Sequence, residues 1–500
     1  MNKQISKIAI FALLLLAALI AATTYWQAWA APSLAAKQDN SIQRVAQFEI
    51  KRGLIYASDG RTVLAANVKK KEGGQTLFFR RYPTGPLVSH VVGYSTQGRS
   101  RAGLERSQNA YLTASNANLG TIWSKLGEQL KGETITGNNL ILNIKTGAQR
   151  IAQAALKGSC GAAVALNPKT GAVYVMASSP SYNPNLIESN KGYSSILKAP
   201  SACPGSSSAL LNRATQGLYP PGSTFKTVTA AAALDDHVFS PSSSFYDPGY
   251  CIEYGQKVSN ALNPDQTAES YGHVSFLQAY QHSINAVFCN IGKALGAKRV
   301  IDKAKQFGFY SRPPIELPSD EVAASGEFDF ARHGLFDDAS RMDPGRLAFG
   351  QDKLLVTPLQ MALVAAGVAN GGTIMTPHLV KEVRAANGSL VTRVKPQAWK
   401  KAMTPKTAAV LNQFMQAVVT GGTGTSAAIP GIKVAGKTGT AETGQNHVYD
   451  AWFIFFAPAD NPQVAGAVLL EHQLNGFGGS VAAPIAKQIM QAILPGASKH

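Results

Sequence analysis

Tyr219-Pro220-Pro221-Gly222-Ser223-Thr224-Phe225-Lys226-Thr227 is the stretch that opens the reading of this chain. Two prolines and a glycine break regular structure, and Thr224 to Leu234 is then apolar and alanine-rich. A helix is predicted there, with Ser223 at its N-terminus. Unpaired backbone N–H groups gather at such an end and the helix dipole favours negative charge, which suits a hydroxyl that must lose its proton. Lys226, three residues on, shares a helix face with Ser223. An ammonium cannot accept a proton, so Lys226 would have to be neutral. Burial and a second cation nearby both lower a lysine's pKa. A lone serine before a helix is ordinarily an N-cap. A second Ser-x-x-Lys, Ser195–Lys198, is followed at once by Ala199-Pro200, which stops a helix.

Two further motifs follow in order. Ser283-Ile284-Asn285 falls in Tyr280–Leu295, at a loop or helix end amid helical sequence. Its hydroxyl can relay a proton, and its amide can bind a carbonyl and hold Lys226 in place. The adjacent His282 is read as structural. Lys437-Thr438-Gly439-Thr440 lies on the first strand of a terminal meander. Lys437 offers a fixed cation to a carboxylate and is the second cation that Lys226 needs. Gly439 lets a ligand approach the strand closely enough to add as an extra strand, with Thr438 beside it. The N–H of Thr440, paired with that of Ser223, can form an oxyanion hole. Each motif alone is cheap. The chain also holds Lys145–Gly147, Lys169–Gly171, Ser107–Asn109 and Ser181–Asn183, but only one ordered set has suitable flanks.

Five hundred residues, 45% apolar and 15% charged, allow a large core in two or three domains. The formal charge of +18 suits a solvated basic surface or contact with anionic headgroups and acidic polymers; no module points to nucleic acid. Ile8 to Ala30 carries no charge, and Tyr25, Trp26 and Trp29 are placed for an interfacial belt. Lys3 and Lys7 precede it, so the positive-inside rule puts the N-terminus in the cytoplasm and the rest outside. The alternative is a cleaved signal peptide, since Ala28-Trp29-Ala30 resembles a cleavage site; both export the remainder. Cys160, Cys203, Cys251 and Cys289 lie in that exported part, open to two disulfides in any of three connectivities or to buried free thiols. No C-x-x-C or H-E-x-x-H occurs, so neither a metal nor another cofactor is expected.

Residues 1–30 are read as a cytoplasmic tip and membrane anchor, 31–138 as a small mixed domain entered through a tether, Ala31–Ser41, and 139–500 as the main domain. Lys51–Arg61 alternates and turns at Asp59-Gly60, a hairpin. Leu140–Ile144 reads as a strand, Thr146–Leu156 as a helix, and Ala162–Leu166 with Ala172–Ala177 as a hairpin around Asn167–Gly171. Ser181–Ser208 and Arg312–Gly345 read as long loops. Thr357–Ala369 and Thr404–Val419 are helices. Val434–Glu442, Tyr449–Ala457 and Gln463–Glu471 form an antiparallel meander, closed by a helix over Val481–Leu494.

With these residues in view the chain resembles the penicillin-binding proteins, serine D,D-transpeptidases of bacterial wall synthesis. Arg52-Gly53-Leu54-Ile55 and Gly103-Leu104-Glu105 resemble the pedestal domain of class B members, and Phe349-Gly350-Gln351, Thr357–Ala362 and Ala451-Trp452-Phe453 resemble the transpeptidase core. The short pedestal is most similar to the compact actinobacterial type. Ile284 stands where many relatives carry Asp, a departure common in class B. The resemblance implies an α+β, multi-domain architecture: a transpeptidase (β-lactamase-like) fold with an antiparallel sheet flanked by helices, a small N-terminal pedestal and one transmembrane helix. It implies that Ser223 attacks the penultimate D-Ala carbonyl of a stem peptide ending in D-Ala-D-Ala, and that an amine resolves the acyl-enzyme. It further implies β-lactams as covalent inhibitors and a SEDS-family glycan polymerase as membrane partner. The rival expectations are a β-lactamase or D,D-carboxypeptidase, with water as acceptor, and a non-enzymatic β-lactam sensor or scaffold.

Overall fold

The computed structural model describes residues 2–26, 48–72, 74–115, 134–199, 203, 208–260 and 269–494. Trp29, the Ala28-Trp29-Ala30 site and the expected tether lie outside them. Asn2–Thr24 forms one helix, α1, with its apolar side chains exposed from Ile5 to Ile20. Among the described residues it is the one helix long and apolar enough to cross a membrane, by length and composition.

Strands Ile55–Tyr56 (β1), Val63–Glu72 (β2), Gln75–Arg81 (β3) and Asn139–Leu142 (β4) come next, then helix Thr146–Ala155 (α2) and strands Gly161–Leu166 (β5) and Val173–Ser179 (β6). Helices Lys226–Asp235 (α3), Phe276–Gln281 (α4), Asn285–Gln306 (α5) and Pro358–Ala369 (α6) precede strands Val380–Arg384 (β7) and Leu390–Arg393 (β8). Helix Pro405–Gly421 (α7), strands Ala435–Glu442 (β9), Val448–Ala457 (β10) and Val464–Leu474 (β11), and helix Ala483–Ile493 (α8) follow, with shorter elements between them.

Five strands form an antiparallel sheet in the order β9-β10-β11-β5-β6. β5 is buried throughout and β10 and β11 nearly so, which is why they read as apolar runs with little alternation. One face sends Trp452 and Ile454 into the main core, where α6 packs; the other sends Phe453 and Phe455 against α2 and α8. α6 is apolar on all sides and buried on all sides. The predicted meander and its flanking helices are thus present. β9 lies at the sheet edge.

A second sheet runs β8-β7-β4-β1-β2-β3, with β1 and β4 parallel. It joins strands on both sides of the predicted division at 138/139. Behind it, Glu105 is fully buried between two guanidiniums: Arg52 Nη2 donates to it at 2.8 Å and Arg80 Nε at 2.6 Å. Burial by itself would raise the Glu105 pKa, but the charges of Arg80 and Arg52 outweigh it and hold the carboxyl below its ordinary value.

Two expectations need correction. Ser181–Ser208 is not all loop: Ser189 caps a helix, Asn190–Leu197, accepting from Gly192 N. Arg312–Gly345 likewise contains paired strands, Gly326–Asp329 and Gly334–Leu335. Both segments are rich in Ser, Pro, Asn and Gly or in interleaved acids, and that composition hid short elements held by tertiary contact. Of the alternatives for the cysteines, the structure has two disulfides, Cys160–Cys203 and Cys251–Cys289.

Candidate active site

The chain enters Ser223 through a tightly braced turn. Tyr219 makes both backbone hydrogen bonds of an antiparallel bridge with Val356, at 3.0 and 2.8 Å. Its hydroxyl donates to Glu471 Oε1 at 2.8 Å, and Arg213 Nε donates to the same oxygen at 2.9 Å. Trp452 Nε1 donates to the Pro220 carbonyl at 2.9 Å. Gly222 N donates to the Gly350 carbonyl at 3.1 Å. Residues Gly222–Phe225 then form a single 3₁₀ turn, and the α-helix α3 begins only at Lys226. The predicted helix is therefore delayed, because the prolines and a left-handed Gly222 (φ 52°) force a tighter entry. Ser223 stays partly exposed while Thr224, Phe225 and Lys226 are buried.

Lys226 and Lys437 are both fully buried and meet at Ser283. Lys226 Nζ donates to the Ser283 carbonyl at 2.6 Å and to Asn285 Oδ1 at 2.7 Å, with Ser283 Oγ at 3.3 Å. Lys437 Nζ donates to Ser283 Oγ at 2.8 Å and to the Thr438 carbonyl at 3.1 Å. Burial, and after it the charge of Lys437, hold Lys226 well below the ordinary lysine range. Burial lowers Lys437 to about 7. Two causes lower Lys226, burial and the charge of Lys437, whereas burial alone lowers Lys437, a difference that favours a neutral Lys226 beside a charged Lys437.

Ser283 reaches both amines because its backbone is left-handed, φ 61°. This conformation turns its carbonyl and its hydroxyl toward the lysines from the link between α4 and α5. A non-glycine residue held there stores strain of about 1–3 kcal/mol, a cost that concentrates at functional sites.

β9 closes the other side. Gly222 and Gly439 are where it meets the serine turn. A Cβ on Gly439 would stand 2.8 Å from both the Pro221 oxygen and Thr224 Cγ2, and one on Gly222 would stand 2.7 Å from the Thr440 oxygen. The strand backbone therefore lies directly against the turn, bringing Thr440 beside Ser223. Thr438 Oγ1 shares a 2.6 Å hydrogen bond with Thr423 Oγ1, just past α7. Thr440 Oγ1 accepts from Gly478 N at 3.4 Å. The eight residues singled out from sequence (Ser223, Lys226, Ser283, Asn285, Lys437, Thr438, Gly439 and Thr440) are thus brought together where the serine turn, the Ser283 link and strand β9 meet. Ser195 does not join them; its Oγ donates to Gly192 O within its own helix.

Sequence reasoning missed the supports. Thr227 Oγ1 and Tyr280 OH share a buried 2.8 Å hydrogen bond that ties α3 to α4. Tyr280 also lies under Lys437, with Nζ 5.6 Å from its ring centroid. Arg213 and Glu471 carry no local signal, since their partners are distant in sequence. Trp452 stands in a legible motif, but its donation to the Pro220 carbonyl has no local signal either. Among the described residues no group of three or more His, Cys, Asp or Glu could hold a metal ion.

Comparison with known proteins follows the same outline. Residues 161–491 match the family model described as penicillin binding protein transpeptidase domain, and residues 52–140 match penicillin binding protein A dimerisation domain. The chain is 33% identical to the peptidoglycan D,D-transpeptidase PbpA of Mycolicibacterium smegmatis, over 99% of each chain. Among solved structures it is similar to penicillin-binding protein A from M. tuberculosis as a ceftriaxone acyl-enzyme complex, with TM-score 0.79, 30% identity, and 90% and 100% of the two chains covered. It is also similar to a D,D-transpeptidase domain from Eggerthella lenta, with TM-score 0.73, 33% identity, and 89% and 98% covered.

Proposed function

This chain belongs to the class B penicillin-binding protein transpeptidases, close to the mycobacterial PbpA type, and from that premise we propose how its own residues perform the reaction. It is a peptidoglycan D,D-transpeptidase that binds β-lactams as acyl-enzymes. Neutral Lys226 has two N–H bonds and one lone pair. Ser283 O and Asn285 Oδ1 occupy the two N–H bonds at 2.6 and 2.7 Å, which leaves the lone pair for the proton of Ser223. Ser223 Oγ attacks the penultimate D-Ala carbonyl. The backbone N–H groups of Ser223 and Thr440 receive the developing oxyanion. Ser283, between the two amines, carries the proton on to the departing D-Ala nitrogen. Lys437, with Thr438, takes the substrate carboxylate, the peptide lies along edge strand β9 at Gly439, and Asn285 holds its carbonyl. An amine from a second stem peptide then resolves the ester and forms the cross-link. The single observation behind this reading is the shared contact of two buried lysines with Ser283.

The helix α1 fits a membrane anchor. We further infer that its N-terminus is cytoplasmic, as Lys3 and Lys7 suggest, that residues 31–138 form the pedestal and 139–500 the transpeptidase unit, and that a SEDS-family polymerase is the membrane partner. The test of function is acceptor choice. A stem pentapeptide ending in D-Ala-D-Ala is supplied with a labelled amine in water. The expected result is release of D-Ala with the label in the peptide product; release with hydrolysis alone would instead identify a carboxypeptidase.

A further inference from the structure

Asn285 must present its oxygen, not its nitrogen, to Lys226, and nothing inside the three motifs dictates which way the amide turns. The structure places the deciding groups on a strap between α3 and α4. Asn285 Nδ2 donates to the Ser259 carbonyl at 3.2 Å, an acceptor that only the NH₂ end can satisfy, which leaves Oδ1 for Lys226 Nζ at 2.7 Å. The next residue, Asn260, is buried at 5% exposure, and its Oδ1 accepts from Ala286 N at 2.9 Å. That bond caps α5 from a distance, since Ile284 at its own N-cap position supplies no side-chain acceptor.

Asn260 is itself locked. Its Nδ2 donates to both carboxylate oxygens of Asp247, at 3.1 and 2.9 Å, and to the Glu269 carbonyl at 2.9 Å. Asp247 is fully buried and also accepts from Gly249 N at 2.9 Å and Tyr271 N at 3.0 Å. The hairpin between them, Tyr250–Glu253 with Gln256–Ser259, is joined to α5 by the disulfide Cys251–Cys289, one turn beyond Asn285. The strap thus meets the start of α5 at one covalent and two hydrogen-bonded points, and Lys293 Nζ, two turns on, donates to the Ile252 carbonyl at 2.8 Å.

We propose that Asp247 and Asn260 are positioning residues: they set the orientation of the Asn285 amide and, through it, the direction of the Lys226 lone pair. This rests on the reading of Lys226 as the base for Ser223.

The test compares the full protein with Asn260→Ala, Asp247→Asn, Asn260→Asp and the exchanged pair D247N/N260D, which restores one donor facing one acceptor. For each, the acylation rate constant at saturating penicillin, the penicillin dissociation constant and the melting temperature are measured. The single variants are expected to lose about 100-fold in the acylation rate constant with little change in penicillin binding, since small misplacement of a reacting group costs rate. The exchanged pair is expected to recover about tenfold or more over either single variant of that pair, the non-additivity of residues in contact. Asn260→Ser, which keeps an acceptor for Ala286, takes the place of alanine if that variant does not fold, with a similar rate loss expected. Native rate constants in folded single variants, or rate losses that only follow melting temperature with no recovery in the exchanged pair, would overturn the proposal. Peptide mapping of the wild-type adduct separates the two levels. Without an adduct on Ser223 the underlying reading fails and takes this proposal with it. With Ser223 acylated and variant rates native, the positioning role alone fails.

Discussion

Ser283 holds a left-handed backbone, φ 61°, that glycine would adopt without strain, yet only the serine hydroxyl reaches both lysines. Ser283→Gly and Ser283→Ala both delete that hydroxyl, so both are expected to slow penicillin acylation by about 100-fold. They should differ in stability: the glycine variant is expected to be more stable than the alanine variant by about 1 kcal/mol in denaturant unfolding. Equal stability would remove strain from the account. Lys437 sets a second expectation. Burial lowers Lys437 to about 7, so it is charged below neutrality, while burial and then the charge of Lys437 hold Lys226 well below the lysine range and favour its neutral form. The active pairing of a neutral Lys226 with a charged Lys437 is therefore present on the acid side of pH 7. It is lost as pH rises through 7 and again when Lys226 protonates at lower pH. Penicillin acylation efficiency of the free enzyme should trace that bell, and Lys437→Arg, which stays charged, should lose the alkaline limb. A wild-type profile flat through neutrality contradicts the assignment of charge. At this scale the sequence was informative, because catalytic residues sit in short motifs whose order is visible without a fold. The amide orientation of Asn285 was not visible, since Ser259 and Asn260 reach it only through tertiary contact.

At the scale of elements, the cleft depends on how closely β9 lies on the serine turn. Gly439→Ala would drive a methyl against the Pro221 oxygen and Thr224 Cγ2, each 2.8 Å away, so strand and turn must part. The expected outcome is a destabilisation of about 1–3 kcal/mol together with a larger loss of acylation than of melting temperature alone would explain. Acylation at the native rate would show that the strand does not need this contact. Helices and strands of the main domain were legible where periodicity or apolar runs were long, as in α6, β10 and β11. The start of α3 was displaced because a 3₁₀ turn intervenes, and the helix Asn190–Leu197 was concealed by loop-like composition. The first departure has a local cause, the prolines and the left-handed Gly222, while the second arises where packing of Ile196 with Tyr182, Ile187 and Ala209 overrules composition.

Across the whole molecule, pairing joins what sequence divides. β4, β7 and β8 complete a sheet with β1, β2 and β3, and non-local strand pairing of this kind leaves no trace in a local pattern. The pedestal core turns on Glu105. Glu105→Ala would strand Arg52, which is 2% exposed, beside Arg80, and should destabilise the protein by about 3–5 kcal/mol in unfolding measurements. Because the folded-state pKa of Glu105 is depressed, its contribution is complete above the ordinary carboxylate pKa and fades as pH falls through the lowered value. The disulfides close spans of 43 and 38 residues, each contributing about 4 kcal/mol on chain-entropy grounds. The central claim remains the serine turn: a hydroxyl activated by a buried, uncharged amine. Intact-mass analysis after penicillin exposure, with peptide mapping of wild type and Ser223→Ala, tests it most directly. One stable adduct on the peptide containing Ser223, absent from a folded Ser223→Ala protein, is the result predicted; an adduct on any other serine, or its persistence in the variant, would contradict the account.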